Sequence, residues 1–176
     1  MKNITTLVHH NTKKKWYQLL RRKIFTWYVR NRAASVGQEC RANHFTKVTP
    51  NTYLSDHVSF NGMNICGKGK VTIGRYFHSG TECMMITDTH NYEGNLIPYD
   101  TMDRVRDITI DDFVWLGSRV LILGGVHIGE GAIIQAGAVV VNDIPPYAIA
   151  GGNPAKVFKY RDKEHFLELK KKELFF

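Results

Sequence analysis

Apolar residues recur every six positions from Ile110 to about Ala150. One apolar residue opens each hexapeptide and a second follows four places later; the two series are Ile110, Leu116, Ile122, Ile128, Ile134, Val140 and Pro146, and Val114, Val120, Val126, Ala132, Ala138, Ile144 and Ala150. An amphipathic helix repeats its apolar face every 3.6 residues and a half-buried strand every two, so neither explains a period of six. A short strand followed by a corner does, and three such units close a triangular turn of about 18 residues. The pattern predicts an all-β solenoid.

The same period is present but less regular before Ile110. Ile73 and Phe77 occupy the two apolar positions of one hexapeptide, whereas segment 66–72 departs from the six-residue period. We expect the solenoid to begin between residues 36 and 52 and to contain about five turns. Segment 91–109 is polar and interrupts the period. A solenoid accommodates such an insertion as a loop that leaves and returns at one corner, so we expect a projecting loop here.

The segments outside the repeat predict two helices. Residues 13–32 place apolar residues at roughly helical spacing, with most of the basic residues elsewhere around the helix; the apolar set is Trp16, Leu19, Leu20, Ile24, Trp27 and Tyr28. Residues 161–176 predict a short charged helix with Phe166 and Leu169 on one side. We therefore divide the chain into a basic amphipathic arm (1–35), a β-helix domain (36–160) and a C-terminal capping helix (161–176).

The net charge of +8 comes from the N-terminal part of the chain. Residues 1–48 contain eleven Lys and Arg but only one acidic residue, Glu39. One interpretation is a helix that approaches an anionic membrane surface or a lipid-linked acidic glycan. The other is a helix whose aromatic side packs against the first turn and shields the open end of the solenoid, and the two are compatible. Because no nucleic-acid recognition motif accompanies the basic residues, we expect no nucleic-acid partner.

Cysteine content and hydropathy favour a cytoplasmic protein, with the inner face of the membrane as a second location. The three cysteines, Cys40, Cys66 and Cys83, are odd in number and contain no C-x-x-C pair, so they predict neither a disulfide framework nor a thiolate zinc site. The sequence predicts no signal peptide and no stretch long and apolar enough to span a bilayer.

Segment 114–160 combines the clean repeat with Trp-Leu-Gly-Ser at 115–118 and Gly-Asn-Pro-Ala-Lys at 152–156. In this combination the chain resembles the hexapeptide-repeat acyltransferases. The resemblance implies a left-handed parallel β-helix, a homotrimer with active sites between adjacent subunits, acetyl-CoA as co-substrate and no metal. It also implies an O-acetyltransferase that acts on a sugar or polysaccharide acceptor of capsule, lipopolysaccharide or exopolysaccharide.

His90 is the candidate catalytic base. Attack of a hydroxyl on a thioester needs a group that takes the hydroxyl proton, and histidine titrates in the right range. His78, His90 and His127 all occupy the outward sixth place of a hexapeptide. His90 stands apart because it immediately precedes the loop, and because residues 87–90, Thr-Asp-Thr-His, resemble the segment that carries the family's catalytic histidine.

The resemblance also implies a cofactor site and acceptor contacts. Gly117 and Ser118 would line the thioester end, Ala136 and Gly137 the pantetheine arm, and Asn142, Lys156 and Lys159 the nucleotide. Corner geometry is the alternative explanation for the small residues, and a solvated chain end for the lysines. Asn61, Asp88, Tyr92 and Trp115 are candidate acceptor contacts.

Three other interpretations use the same fold. An acetyltransferase for an antibiotic, an amino sugar or serine needs the same base and cofactor site, whereas a non-catalytic scaffold needs neither. A γ-class carbonic anhydrase would need histidines in H-x4-H spacing, and no pair has it, so a zinc site is not expected.

Overall fold

The computed structural model describes residues 4–175, with side chains described from residue 16 onward. The first three residues of the predicted arm and the last residue of the predicted capping helix lie outside the described residues. The chain forms a left-handed parallel β-helix, preceded by helix α1 (Ile4–Arg32) and followed by helix α2 (Lys163–Lys171). The predicted fold class is confirmed.

Short strands build the three faces of the β-helix. In chain order the strands are β1 (Ser35–Val36), β2 (Arg41–Ala42), β3 (Thr52–Leu54), β4 (Ser59–Phe60), β5 (Met63–Cys66), β6 (Val71–Ile73), β7 (His78–Ser79), β8 (Cys83–Ile86), β9 (Asp88–His90), β10 (Asp103–Val105), β11 (Ile108–Ile110), β12 (Trp115–Leu116), β13 (Leu121–Leu123), β14 (His127–Ile128), β15 (Ile133–Ile134), β16 (Val139–Val140), β17 (Ala148–Gly151) and β18 (Lys156–Tyr160).

Strands of successive turns pair in parallel. The first face holds β1, β3, β6, β11 and β14; the second holds β2, β4, β7, β12, β15 and β17; and the third holds β5, β8, β13 and β16. The 2–3 corner is defined here as the edge between the second and third faces, and the 3–1 corner as the edge between the third and first. The β-helix has about six turns, one more than expected from the sequence, because β1 and β2 already form a turn below β3 and β4.

The two apolar series of the repeat line the interior. Every member is buried except Pro146, which is exposed. Leu116 pairs with Ile134, 18 residues later, whereas Ile134 pairs with Ala150, only 16 residues later. The last turn is therefore shorter by two residues, and this shift moves Pro146 from the interior to a corner.

The interruption of the repeat forms a β-hairpin that projects from the 3–1 corner. Strands β9 and β10 pair antiparallel, with His90 opposite Asp103. The backbone N–H of Arg106 donates to the carbonyl of Thr87 at 2.8 Å, which closes the neck of the hairpin. Strand β11 then resumes the first face in register with β6. The solenoid thus continues as if the hairpin were not there.

Helix α1 packs on the first turn of the β-helix. Val29 is buried there, and the rings of Phe25 and Tyr28 lie 6.0 and 5.4 Å from that of Phe45. The hydroxyl of Thr26 accepts a hydrogen bond from the N–H of Ala42 at 3.0 Å, so the helix satisfies part of an otherwise open strand edge. No helix in the described part of the chain has the length and apolarity needed to cross a membrane.

Helix α2 lies against the corner between the first and second faces. Phe166 packs edge-on against Phe113 and Tyr147, at centroid distances of 5.8 and 5.1 Å. A Cβ at Gly131, which has a φ of +68°, would lie 2.9 Å from the Phe166 ring. The absence of a side chain at Gly131 therefore leaves the space that Phe166 fills. Separately, strand β18 covers the end of the second face by pairing antiparallel with β17.

Candidate active site

His90 lies on β9 with a fixed ring orientation. Its Nδ1 is 3.2 Å from Oδ1 of Asp103, and its ring stacks on Tyr99 at a centroid distance of 3.9 Å and an interplanar angle of 11°. An ionised carboxylate only accepts hydrogen bonds, so Nδ1 carries the proton and Nε2 keeps its lone pair. The side chain is 59% exposed, and Nε2 has no partner among the described residues. This is the arrangement that a general base needs.

Asp103 is itself held by a cation from the preceding turn. Its second oxygen, Oδ2, accepts from Nζ of Lys68 at 2.5 Å. This bond lowers the pKa of the Asp103 carboxyl below its usual value, and the bond with His90 lowers it further. The carboxylate therefore remains ionised wherever His90 works as a base. Sequence reasoning did not identify Asp103 or Lys68; treating segment 88–105 as a hairpin with His90 opposite Asp103 would have found the carboxylate.

The hairpin is braced by its own polar side chains. Asn91 accepts from Nε of Arg104 at 2.8 Å and donates to Asp100 at 3.2 Å. Arg104 also pairs with Glu93, and its guanidinium lies over the ring of Tyr92 at 5.0 Å. These contacts hold Tyr92 at the surface of the hairpin that carries His90.

Asp88 belongs to the base of the hairpin. It is in register with Val105, and its carboxylate accepts from the backbone N–H of Lys68 at 3.2 Å. The structure therefore places both Asp88 and Tyr92 on the hairpin of His90, but Asp88 already holds the 3–1 corner.

Asn61 lies at a different corner of the β-helix from His90. It lies at the 2–3 corner, where Nδ2 donates to the carbonyl of Ser79 at 2.8 Å and lies 3.2 Å from Nε2 of His78. Its Oδ1 accepts from Asn43 at 2.9 Å. The structure thus does not bring Asn61 to the His90 of the same chain, and its amide groups already have partners.

Four of the predicted cofactor residues stack at the 2–3 corner. A Cβ at Gly117 would lie 2.5 Å from the backbone nitrogen of Ala136, so two adjacent turns approach closely there. A Cβ at Gly137, which has a φ of +74°, would meet nothing within 4 Å, so the corner is open to solvent at this residue. The hydroxyl of Ser118 accepts from the backbone N–H of Thr81 at 3.2 Å.

The other three predicted cofactor residues lie apart from that corner. Lys156 and Lys159 are exposed on β18, beyond the end of the second face. Asn142 is exposed just after β16, at the 3–1 corner. A face of this width spans roughly 15–20 Å, so within one chain His90 and the 2–3 corner are on opposite sides of the third face.

A groove of about 920 Å³ runs along the second face, and Trp115 lies in it. Trp115 is in register with His78, and both line the groove, which helices α1 and α2 border. Burial lowers the pKa of His78, which favours its neutral form. Arg161 also lines the groove, and its guanidinium lies over the Phe166 ring at 5.2 Å.

The thiols do not present a nucleophile. Burial raises the pKa of Cys40 to about 11 and also raises those of Cys66 and Cys83. A thiol with a raised pKa is mostly protonated near neutral pH and therefore unreactive. Within the described residues, no group of three or more potential ligands is placed to hold a metal.

Comparison with known proteins concerns the repeat and the fold. Residues 107–142 match the family described as "Bacterial transferase hexapeptide (six repeats)". The chain is 41% identical over 70 residues to a chloramphenicol acetyltransferase of Escherichia coli, an alignment that covers 40% of this chain and 33% of the relative. The chain thus spans about one third of the length of that relative.

Solved structures share the fold over more of the chain. A maltose O-acetyltransferase from Clostridium difficile is 28% identical with a TM-score of 0.50, over 73% of this chain and 67% of that one. An N-acyltransferase from Bacillus cereus, solved with dTDP and coenzyme A, has a TM-score of 0.63 over 84% of this chain and 94% of that one. At 20% identity the latter likeness concerns the fold alone.

Proposed function

We propose that this hexapeptide-repeat protein is an acetyl-CoA-dependent O-acetyltransferase that acts on a hydroxyl group of a sugar or glycan. The observation that carries the proposal is the pair formed by His90 and Asp103. It places an oriented, solvent-facing imidazole on a hairpin that projects from the β-helix. The maltose O-acetyltransferase among the similar structures supports a sugar acceptor.

His90 acts as a base and then as an acid. Nε2 takes the proton of the acceptor hydroxyl as its oxygen forms a bond to the acetyl carbonyl carbon. Asp103 stabilises the imidazolium that results. When the tetrahedral intermediate collapses, the carbon–sulfur bond breaks and Nε2 returns the proton to the leaving sulfur. The products are an acetyl ester and the free thiol of coenzyme A, so no covalent acyl-enzyme and no cysteine are involved.

The 2–3 corner suits the pantetheine arm of acetyl-CoA. Gly117, Ser118, Ala136 and Gly137 are small, and the open space at Gly137 leaves the backbone accessible. Lys156 and Lys159 supply positive charge at the end of the second face for the phosphates, and Asn142 is a further candidate contact for the nucleotide.

We propose further that the protein is a homotrimer whose active sites form between adjacent chains. Within one chain, the third face separates His90 from the cofactor corner. The 3–1 corner of one subunit facing the 2–3 corner of the next would bring them together. In this arrangement Trp115 of one subunit would contact the acceptor bound near His90 of its neighbour, and Asn61 would do so by exchanging one of its present hydrogen bonds.

A release assay for coenzyme A tests the function. With acetyl-CoA and candidate glycans, we expect His90→Ala to lower kcat by about 10²–10⁴-fold while acetyl-CoA binding, measured by calorimetry, is retained. His127→Ala is the matched control, because His127 is also exposed and also pairs with an aspartate, Asp111 at 3.0 Å. Turnover in His90→Ala equal to wild type would refute the mechanism, and a wild-type protein that does not bind acetyl-CoA would favour a scaffold.

A second acceptor class has one observation in its favour. The matched segment of chloramphenicol acetyltransferase is 41% identical, which supports an antibiotic hydroxyl as the alternative acceptor. Including chloramphenicol beside the glycans in the same assay distinguishes the two, because the correct acceptor raises the rate of coenzyme A release above hydrolysis.

A further inference from the structure

Helix α1 has one face that packs against the β-helix. Phe25, Tyr28 and Val29 lie on this face, and Val29 is completely buried. Arg21 extends the contact by bonding to the ring of His44 at 3.1 Å. The packed face therefore accounts for the end-capping role of the helix without using its remaining apolar residues.

The other side of α1 presents an apolar stripe to solvent. Trp16, Leu20, Ile24 and Trp27 fall within about 80° of one another at 100° per residue. Trp16 is 66% exposed, Ile24 52% and Trp27 65%. No other element in the described part of the chain covers these side chains, so the stripe is free to contact something outside the chain.

Basic residues adjoin the stripe. Lys23 and Arg30 are exposed and project about 20–40° from Trp16 around the helix axis. Residues 1–48 as a whole hold eleven Lys and Arg against one acidic residue. Tryptophan rings favour the interface between headgroups and acyl chains, and cations beside them favour anionic lipid. A protein partner would need only the apolar part of this combination, whereas an anionic bilayer matches all of it.

We propose that the α1 stripe, Trp16, Leu20, Ile24 and Trp27, lies in the headgroup region of an anionic membrane. The helix would lie along the surface, since none in the described chain is suited to cross it. Through its opposite face, α1 then holds the first turn of the β-helix close to the membrane. The proposal is independent of the chemistry at His90.

Vesicle co-sedimentation of the full chain tests the proposal. We expect wild-type protein to pellet with vesicles of phosphatidylcholine and phosphatidylglycerol, and much less with phosphatidylcholine alone or in high salt. Trp16→Gln combined with Trp27→Gln is expected to lower the partition coefficient by about tenfold or more. Ile97→Gln is the matched control, because Ile97 is 98% exposed but lies on the projecting hairpin.

Tryptophan fluorescence gives a second measurement. In a Trp115→Phe background only Trp16 and Trp27 emit, so a blue shift on adding anionic vesicles reports their transfer into the interface. Circular dichroism checks that each variant is folded. Failure of the wild type to bind anionic vesicles overturns the proposal, as does undiminished binding of the double variant. A double variant that changes the sedimentation coefficient, with no vesicle binding by the wild type, would assign the stripe to a subunit contact instead.

Discussion

The carboxylate of Asp103 faces the imidazole of His90 because β9 and β10 pair in register across the hairpin. Lys68 comes from the preceding turn and binds the same carboxylate. The orientation of the candidate base therefore depends on both the hairpin and the body of the β-helix.

Asp103→Asn tests this dependence. The amide is neutral, so in the proposed mechanism it no longer stabilises the protonated ring that forms as the acceptor hydroxyl attacks the thioester. We expect kcat to fall by roughly 10–10³-fold with little change in the KM for acetyl-CoA.

The charge of Asp103 follows from its two partners. In the wild type the bonds from Lys68 and His90 lower the pKa of Asp103, so the carboxylate is ionised at neutral pH. Asp111→Asn, beside His127, is the control with the same change of charge. An unchanged kcat in Asp103→Asn, or an equal fall in Asp111→Asn, would contradict a positioning role for Asp103.

At the scale of elements, α2 is attached through the ring of Phe166 and through Lys170, which pairs with Glu130. Phe166 fills the space beside Gly131 and touches Phe113 and Tyr147. Asp162 caps the helix by accepting from the N–H of His165 at 3.0 Å, but no residue of α2 is fully buried. A nine-residue helix is marginal on its own, so tertiary contacts decide whether it forms.

Phe166→Ala is therefore expected to detach α2. We expect a loss of about 1–3 kcal/mol in the free energy of unfolding, measured by denaturant titration, because the ring is only partly buried. Amide exchange in residues 163–171 should accelerate while exchange in the turns stays slow. Leu167→Ala, at an exposed neighbouring position, should change neither quantity by much. Equal effects of the two substitutions would show that Phe166 does not anchor the helix.

Prediction from sequence succeeded where one period governs the structure. The interior positions follow from the six-residue repeat because each turn repeats the same strand and corner. Pro146 departs from it because the last turn is two residues shorter, and nothing in the spacing before it signals that change. The hairpin was predicted only as a loop, since both of its strands are polar and neither shows one buried face.

Asp103 illustrates why the candidate site was only partly predictable. His90 precedes an interruption that is visible in the sequence, but its partner lies 13 residues away across a strand pairing that no pattern marks. The repeat implies that Gly117 and Ala136 lie at the same corner. It does not show that His90 lies at a different corner, because that depends on which faces each corner joins. Such relations exist only in three dimensions.

At the scale of the whole molecule, His90 and the proposed cofactor residues lie at different corners of the β-helix, which has a measurable consequence. If each site combines His90 of one chain with the 2–3 corner of another, two inactive variants can complement each other. We choose His90→Ala and Ala136→Trp, since Ala136 is exposed and a bulky ring there would block the pantetheine arm.

Mixed trimers of these two variants should regain activity. After equal amounts are unfolded together and refolded, about one quarter of the sites would combine an intact His90 with an intact corner. Assay of coenzyme A release measures the recovery, and sedimentation velocity checks that trimers have formed. Each variant refolded alone is the control. Absence of recovery in mixed trimers would place the complete site within one chain.

The hydrogen bond between Thr87 and Arg106 closes the base of the hairpin, so the hairpin is an insertion that can be exchanged as a unit. Because the turns above and below remain in register, its length and sequence can change without altering the interior on which stability depends. Under the proposed function, acceptor preference can thus evolve separately from folding and from acetyl-CoA binding. Grafting a hairpin from a relative at these two residues is accordingly a direct route to redesigning the acceptor preference of the proposed enzyme.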